Sequence, residues 1–179
     1  MLIIDADAEV ISDNFVLRYV EAVQSNSEND IVIGGLKNPP SAPADCSLRF
    51  RYEESCESIR SLETRRENPA MYFSTFNFMA SRRVFERINF DERCTEYGYE
   101  DALFGIEAER CGFSILHIDN PLQHNGINDN ASFLRNSEAA LRTLRRLGPP
   151  MTDRARVACA ARHFEGSPLR YITLRPLLI

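Results

Sequence analysis

The chain has 179 residues, and 21 Lys+Arg against 26 Asp+Glu leave a formal net charge of −5 at pH 7. That balance excludes a nucleic-acid binder whose affinity rests on a basic surface, and 44% hydrophobic with 26% charged residues excludes a disordered chain. No apolar run approaches a membrane span, the opening shows no basic n-region of a secretory leader, and Cys46, Cys56, Cys94, Cys111 and Cys159 contain no C-x-x-C pair. Neither a zinc knuckle nor a disulfide framework is therefore expected, and a reducing, cytoplasmic setting is.

Leu2-Ile3-Ile4 ahead of Asp5-Ala6-Asp7 reads as a buried strand of an α/β sheet. A buried strand needs neighbours on both sides, and nothing precedes it, so the chain is expected to be the later part of a longer fold. Ser12 reads as the N-cap of a helix over about 13–24 with Val16, Val20 and Val23 as its apolar stripe. Ile31-Val32-Ile33 before Gly34-Gly35 predicts a second buried strand, and the three prolines between Asn38 and Ala44 predict a loop. Leu48 to Arg66 is Arg/Glu-rich and predicts helix with one solvated face. Met71 to Ala80 predicts a strand with Asn77 in its middle, followed by a short helix over 81–87. A loop over 90–99, a helix over 101–111 stopped by Gly112, and a strand over 113–118 come next. Asp119 to Asn130 predicts a polar loop holding His124. Phe133, Leu134, Leu141, Leu144 and Leu147 mark a helix ended by Gly148, and a further helix is predicted over about 152–163. The segment from Pro168 to Ile179 is apolar and uncapped.

Three polar features carry chemistry. Two carboxylates at i and i+2 after an apolar strand, Asp5 and Asp7, make a hard-oxygen site suited to Mg²⁺ or Mn²⁺ with a diphosphate completing the shell; otherwise they are a solvated turn. Glu100 and Asp101 follow Tyr97-Gly98-Tyr99 at a helix start, where the dipole favours acids and would keep a general base ionised; capping alone is the plainer explanation. His124 stands in a polar loop, whereas His117 falls inside an apolar strand and reads as a core residue or a support for the site, and His163 carries no signal.

Together these features resemble the family 2 glycosyltransferases of the GT-A fold. The order is strand then D-x-D (Leu2 to Asp7), Asn77-Phe78-Met79-Ala80-Ser81-Arg82, Phe90-Asp91-Glu92 followed by Tyr97-Gly98-Tyr99-Glu100-Asp101, and a strand leading to His124. The resemblance covers about residues 2–126. It implies a Rossmann-like mixed sheet flanked by helices: a partial GT-A domain over 1–128 with a helical extension over 129–179. It further implies an inverting, metal-dependent enzyme of polysaccharide biosynthesis that moves a sugar from a nucleotide-sugar donor to a glycan or lipid-linked saccharide acceptor. Asp5 would lie near the ribose and the metal-bound diphosphate; Asp7 would be the main ligand of Mn²⁺ or Mg²⁺, with Asp5 and His124 assisting. Asp101 would be the general base and Glu100 would orient the acceptor, with Asn77, Arg82, Tyr97, Gly98 and Tyr99 forming the acceptor side. In this family the nucleotide base is held by roughly 90 residues before the D-x-D, so a fragment is expected, inactive on its own.

Two other classes stay open. The chain could be a remnant that binds carbohydrate or a partner without catalysis. The opening also looks like a haloacid-dehalogenase-type phosphatase with Asp5 as nucleophile and Asp7 as acid/base, a chemistry that needs a phosphate-steadying lysine; the sole lysine is Lys37. Arg135, Arg142, Arg145 and Arg146 read as a solvated helix face or, alternatively, as a peripheral contact with the inner face of a membrane. No nucleic-acid partner is expected, and the oligomeric state is not legible.

Overall fold

The computed structural model describes residues 1–164 apart from 26, 27, 93 and 150; the apolar segment 168–179 lies outside the described residues. Strands β1 (Leu2–Ile4) and β2 (Ala8–Glu9) come first, then α1 (Phe15–Ser25), β3 (Ile31–Ile33) and β4 (Leu36–Lys37). A helical run follows: α2 (Ser47–Glu57), a 3-10 turn (Ser58–Arg60) and α3 (Leu62–Glu67). Next are β5 (Asn77–Ala80), α4 (Arg82–Arg87), α5 (Glu100–Arg110), β6 (Ile115–His117) and β7 (Leu122–His124), and the described chain closes with α6 (Asn130–Leu147), α7 (Met151–Arg154) and α8 (Arg156–Phe164).

The strands form two mixed sheets flanked by helices, an α/β architecture. The larger has the order β1-β5-β3-β6, with β5 antiparallel to both β1 and β3 and with β3 parallel to β6. The smaller has the order β2-β7-β4, antiparallel between β2 and β7 and parallel between β4 and β7. β3 is buried along its whole length because it is central in the larger sheet and carries β-branched side chains on both faces. Its Ile31 and Ile33 pack with Phe73, Phe78, Val84 and Phe104, while Val32 packs on the other face with Phe15, Tyr19 and Leu122.

Several expectations are corrected. Among the described residues β1 is an edge strand paired with β5 alone, with Leu2 and Ile4 exposed, rather than a buried one. The 13–24 helix begins at Phe15, and its inward stripe is Phe15, Tyr19 and Ala22, whereas Val16, Val20 and Val23 are exposed. Both stripes have helical spacing; the phase is set by Tyr19, whose hydroxyl donates to the Asn77 Oδ1 at 2.6 Å. Only Asn77–Ala80 of the predicted 71–80 strand is extended; the preceding residues leave the sheet as a loop. On α6, Leu144 is buried but Leu134 and Leu141 face solvent, because the docking face also uses the buried Thr143. Gly112 does stop α5, at φ +81°. The final helices pack through Leu144, Met151 and Ala155 onto Ala102 and Ile106 of α5. All five cysteines are free thiols.

Candidate functional site

The D-A-D sequence becomes a turn between β1 and β2. The Asp5 N–H continues the ladder to the Phe76 carbonyl at 3.0 Å, and the Ala8 N–H returns to the Asp5 carbonyl at 3.2 Å. Ala8 is the register partner of His124, so Asp7, one residue earlier, arrives beside that imidazole. His124 Nε2 stands 3.4 Å from Asp7 Oδ2, and its ring meets Phe76 edge-on with centroids 4.9 Å apart. His124 thus ends a strand instead of sitting in the predicted loop. The smaller sheet explains why: Gln123 and His124 take their extended conformation from pairing with β2, 115 residues or so away in sequence, which no local signal reveals. Gly126 stands against the Asp7 carboxylate, and a Cβ there would overlap it.

Glu100 and Asp101 are aimed by the turn before α5. Gly98 (φ +104°) and Tyr99 (φ +71°) are both left-handed, a conformation that strains Tyr99 and that is held by packing of Gly98 on Ala140 and of Tyr99 on the cluster around α5. Burial also pushes the Tyr99 phenol up. Asp101 accepts hydrogen bonds from the Thr75 N–H (to Oδ2, 3.1 Å) and the Thr75 hydroxyl (to Oδ1, 3.1 Å). Burial nevertheless raises the Asp101 carboxyl above its ordinary range, against the pull of those donors. Glu100 Oε2 is buried with no hydrogen-bond partner among the described residues.

Asp5, Asp7, His124, Tyr97, Glu100 and Asp101 open onto one cavity of about 490 Å³. Asn77 also reaches it, but its amide is fully committed: Nδ2 donates to the Gly35 and Asn120 carbonyls at 3.0 and 2.8 Å, and Oδ1 accepts from Tyr19. It is a strut under the cleft floor rather than a free acceptor-binding group. Gly98 and Tyr99 shape the turn and do not line the cavity. Arg82 lies outside it on an exposed turn of α4, paired with Glu86 at 2.8 Å, because the first turn of α4 points to solvent. Lys37, the residue a phosphatase would need, is exposed and outside the cavity. His117 is fully buried; its Nδ1 accepts from Arg65 at 3.0 Å, so its Nε2–H donates to the Pro69 carbonyl at 3.1 Å. Burial first, then the nearby arginines, push His117 down to about 4, so the ring is neutral.

The sequence missed Thr75 and three arginines that line the cavity, Arg49, Arg60 and Arg65. The 48–66 segment is helical as expected, but its charged residues are not simply solvated. Glu53 is 1% exposed and is gripped by Arg49 at 2.5 Å and by Arg60. Helical charge spacing alone does not separate such a packed triad from a surface ladder. Glu53→Gln is expected to cost about 2–3 kcal/mol in urea unfolding, toward the low end for a broken buried pair because both guanidiniums keep some water; a change under about 0.5 kcal/mol would mean that the triad is dispensable. By contrast, Arg135, Arg142, Arg145 and Arg146 are exposed, as a solvated face requires. No helix among the described residues is long and apolar enough to cross a membrane.

Asp7 and His124 can hold a cation. Their 3.4 Å spacing suits neighbouring ligands on one divalent ion, since two donors about 2.1 Å from a metal at right angles stand about 3 Å apart. Asp7 Oδ1 and His124 Nδ1 are buried without a hydrogen-bond partner among the described residues, polar capacity that the fold itself leaves unused. No group of three or more His, Cys, Asp or Glu side chains poised for a metal occurs among the described residues. A divalent ion placed here would have these two donors from the chain and would need the rest of its shell from substrate oxygens and water. Asp5 Oδ1 accepts from the Ala6 N–H at 2.9 Å and remains exposed beside them.

Comparison with known proteins finds no matching family model, no matching curated protein and no matching solved structure. The class that fold and site define is an α/β protein whose two mixed sheets bring acids and an imidazole to one cleft.

Proposed function

We propose that this chain is the metal-binding and acceptor half of an inverting glycosyltransferase of the GT-A type, similar to family 2, acting on a nucleotide-sugar donor and a hydroxyl acceptor. The observation that carries this reading is the opening of Asp7, His124, Glu100 and Asp101, spread over more than a hundred residues of sequence, onto a single cavity.

Each residue has a task that its surroundings suit. Asp7 and His124 would hold the divalent ion, with Asp5 beside the diphosphate. When bound, the ion supplies Lewis-acid neutralisation of charge on the leaving phosphate oxygens. Asp101 takes the proton of the acceptor hydroxyl as its oxygen bonds to the anomeric carbon and the bond from that carbon to the nucleoside diphosphate breaks. Thr75 fixes the carboxylate with two donors yet leaves lone pairs for that proton. Glu100, with its unpartnered Oε2, accepts a hydrogen bond from the acceptor and orients it. A single displacement inverts the centre, and no glycosyl–enzyme bond is formed.

Manganese titration in the presence of a nucleoside diphosphate tests the reading. Asp7→Ala is expected to weaken Mn²⁺ binding by at least about tenfold, the scale of losses even from outer-shell changes. An unchanged titration would remove Asp7 as ligand. Glycan binding without metal-dependent nucleotide binding would instead identify a non-catalytic carbohydrate binder.

A further inference from the structure

We infer that the cleft takes an acceptor bearing an oxyanion, a phosphate or a carboxylate, which docks on Arg49, Arg60 and Arg65. This rests on the glycosyl-transfer reading and names the acceptor's chemical class.

Three guanidiniums from three successive segments, α2, the 3-10 turn and α3, line the cavity that also holds the acids. Arg49 and Arg60 share one carboxylate, Glu53. The hydrogen bonds of Arg65 go to neutral acceptors, the Arg60 carbonyl at 3.2 Å, His117 Nδ1 at 3.0 Å and the Ile118 carbonyl at 3.3 Å, while Asp119 acts on it through space. Among the described residues no carboxylate forms an ion pair with it. Those bonds use three of the five N–H donors of a guanidinium, so two remain. The wall thus holds more guanidiniums than carboxylates paired with them, and all three side chains are half-buried. A guanidinium drawn out of water without a paired counter-ion is costly, and a bound oxyanion would offset that cost.

The wall is also held in place. Arg49 lies 5.8 Å from the Tyr52 ring centroid and 5.7 Å from that of Phe133, and Arg60 lies 5.9 Å from Tyr52. Gly35, at φ +94°, lies against Arg65: a Cβ there would stand 3.1 Å from the guanidinium carbon, so glycine lets the backbone support that side chain closely. Fixed cations with spare donors recognise a planar carboxylate or a phosphate at little reorganisation cost. On the transfer reading the donor's diphosphate would have a separate place, beside Asp7 and His124, where a bound divalent ion would offset its charge.

Isothermal titration of the full chain without metal, at low salt, compares glucose 1-phosphate, glucuronate and glucose. The charged sugars are expected to bind and glucose is not, and added sodium chloride should weaken binding of the charged sugars. Arg65→Gln and Arg49→Gln should each lower glucose 1-phosphate affinity about tenfold or more, while Arg145→Gln, on the exposed face of α6, leaves it unchanged. Equal binding of glucose and glucose 1-phosphate would overturn the inference, and that comparison on the unaltered chain decides even if a variant unfolds. Loss of Mn²⁺-dependent nucleoside diphosphate binding in Arg65→Gln, as large as its loss of glucose 1-phosphate, would also overturn it, by assigning the arginines to the donor. Failure of the unaltered chain to bind Mn²⁺ with nucleoside diphosphate, with glucose 1-phosphate still held by the arginines, would instead strike the transfer reading and leave the oxyanion site standing.

Discussion

Asp101→Asn is expected to lower sugar transfer by about 10²–10⁴-fold, the usual contribution of a positioned general base. The assay is release of nucleoside diphosphate from a nucleotide sugar by an enzyme that carries this chain, with acceptor present. Asparagine keeps the shape: its carbonyl can accept from the Thr75 N–H while its amide donates to the Thr75 hydroxyl, which is also an acceptor. Donor binding should therefore survive. So should stability, because burial already disfavours the ionised carboxylate and a neutral amide removes that cost. With the folded value raised, the charged form destabilises the fold near neutral pH, so the melting temperature of the variant is expected to be equal or higher. The same shift sets the pH dependence. Transfer should fall as the medium is acidified through the raised Asp101 value, with a limb above the ordinary aspartate range and absent from the variant. Retained turnover would reject the base; lost stability along with lost turnover would make Asp101 a structural residue.

Asn77→Ala is expected to destabilise the fold by about 3–4 kcal/mol in urea unfolding. The side chain is 1% exposed and all its polar atoms are committed. Truncation leaves the Gly35 and Asn120 carbonyls without this donor, and the Tyr19 hydroxyl loses its 2.6 Å acceptor. Buried groups left unpaired cost about 1–3 kcal/mol each, and the cavity adds to that. A loss below about 1 kcal/mol would mean that water takes over the amide's bonds. The effect matters for the site, since Asn77 ties the end of β3 to α1 and to the chain after β6, and so sets the cleft floor. The sequence suggests Asn77 as an acceptor-side residue, but it is buried under the cleft floor, and three distant segments use up its hydrogen bonds, which local sequence does not convey.

The same distinction runs through the rest of the molecule. β3 was legible because a run of β-branched residues closed by two glycines suits little else, and α5 was legible from its acidic start and its glycine stop. Harder to read were phase and pairing. In α1 two apolar stripes compete, and a single hydroxyl contact with β5 decides between them. His124 sits in a short strand that forms between two distant partners, β2 and β4. The arginines of the 48–66 segment have the spacing of a solvated helix, and only the packing of that helix on β6 and α6 turns three of them toward the cavity.

By itself, then, the sequence determined the alternation of strands and helices, the strong turns, and the chemical types available: paired acids after a strand, acids at a helix start, one histidine close behind a strand. These follow from local periodicity and backbone preference. Which of those groups meet, which are consumed by the fold and which keep spare hydrogen-bonding capacity was decided by tertiary structure alone. Those properties depend on contacts between residues tens to a hundred positions apart, and on the burial that such contacts create.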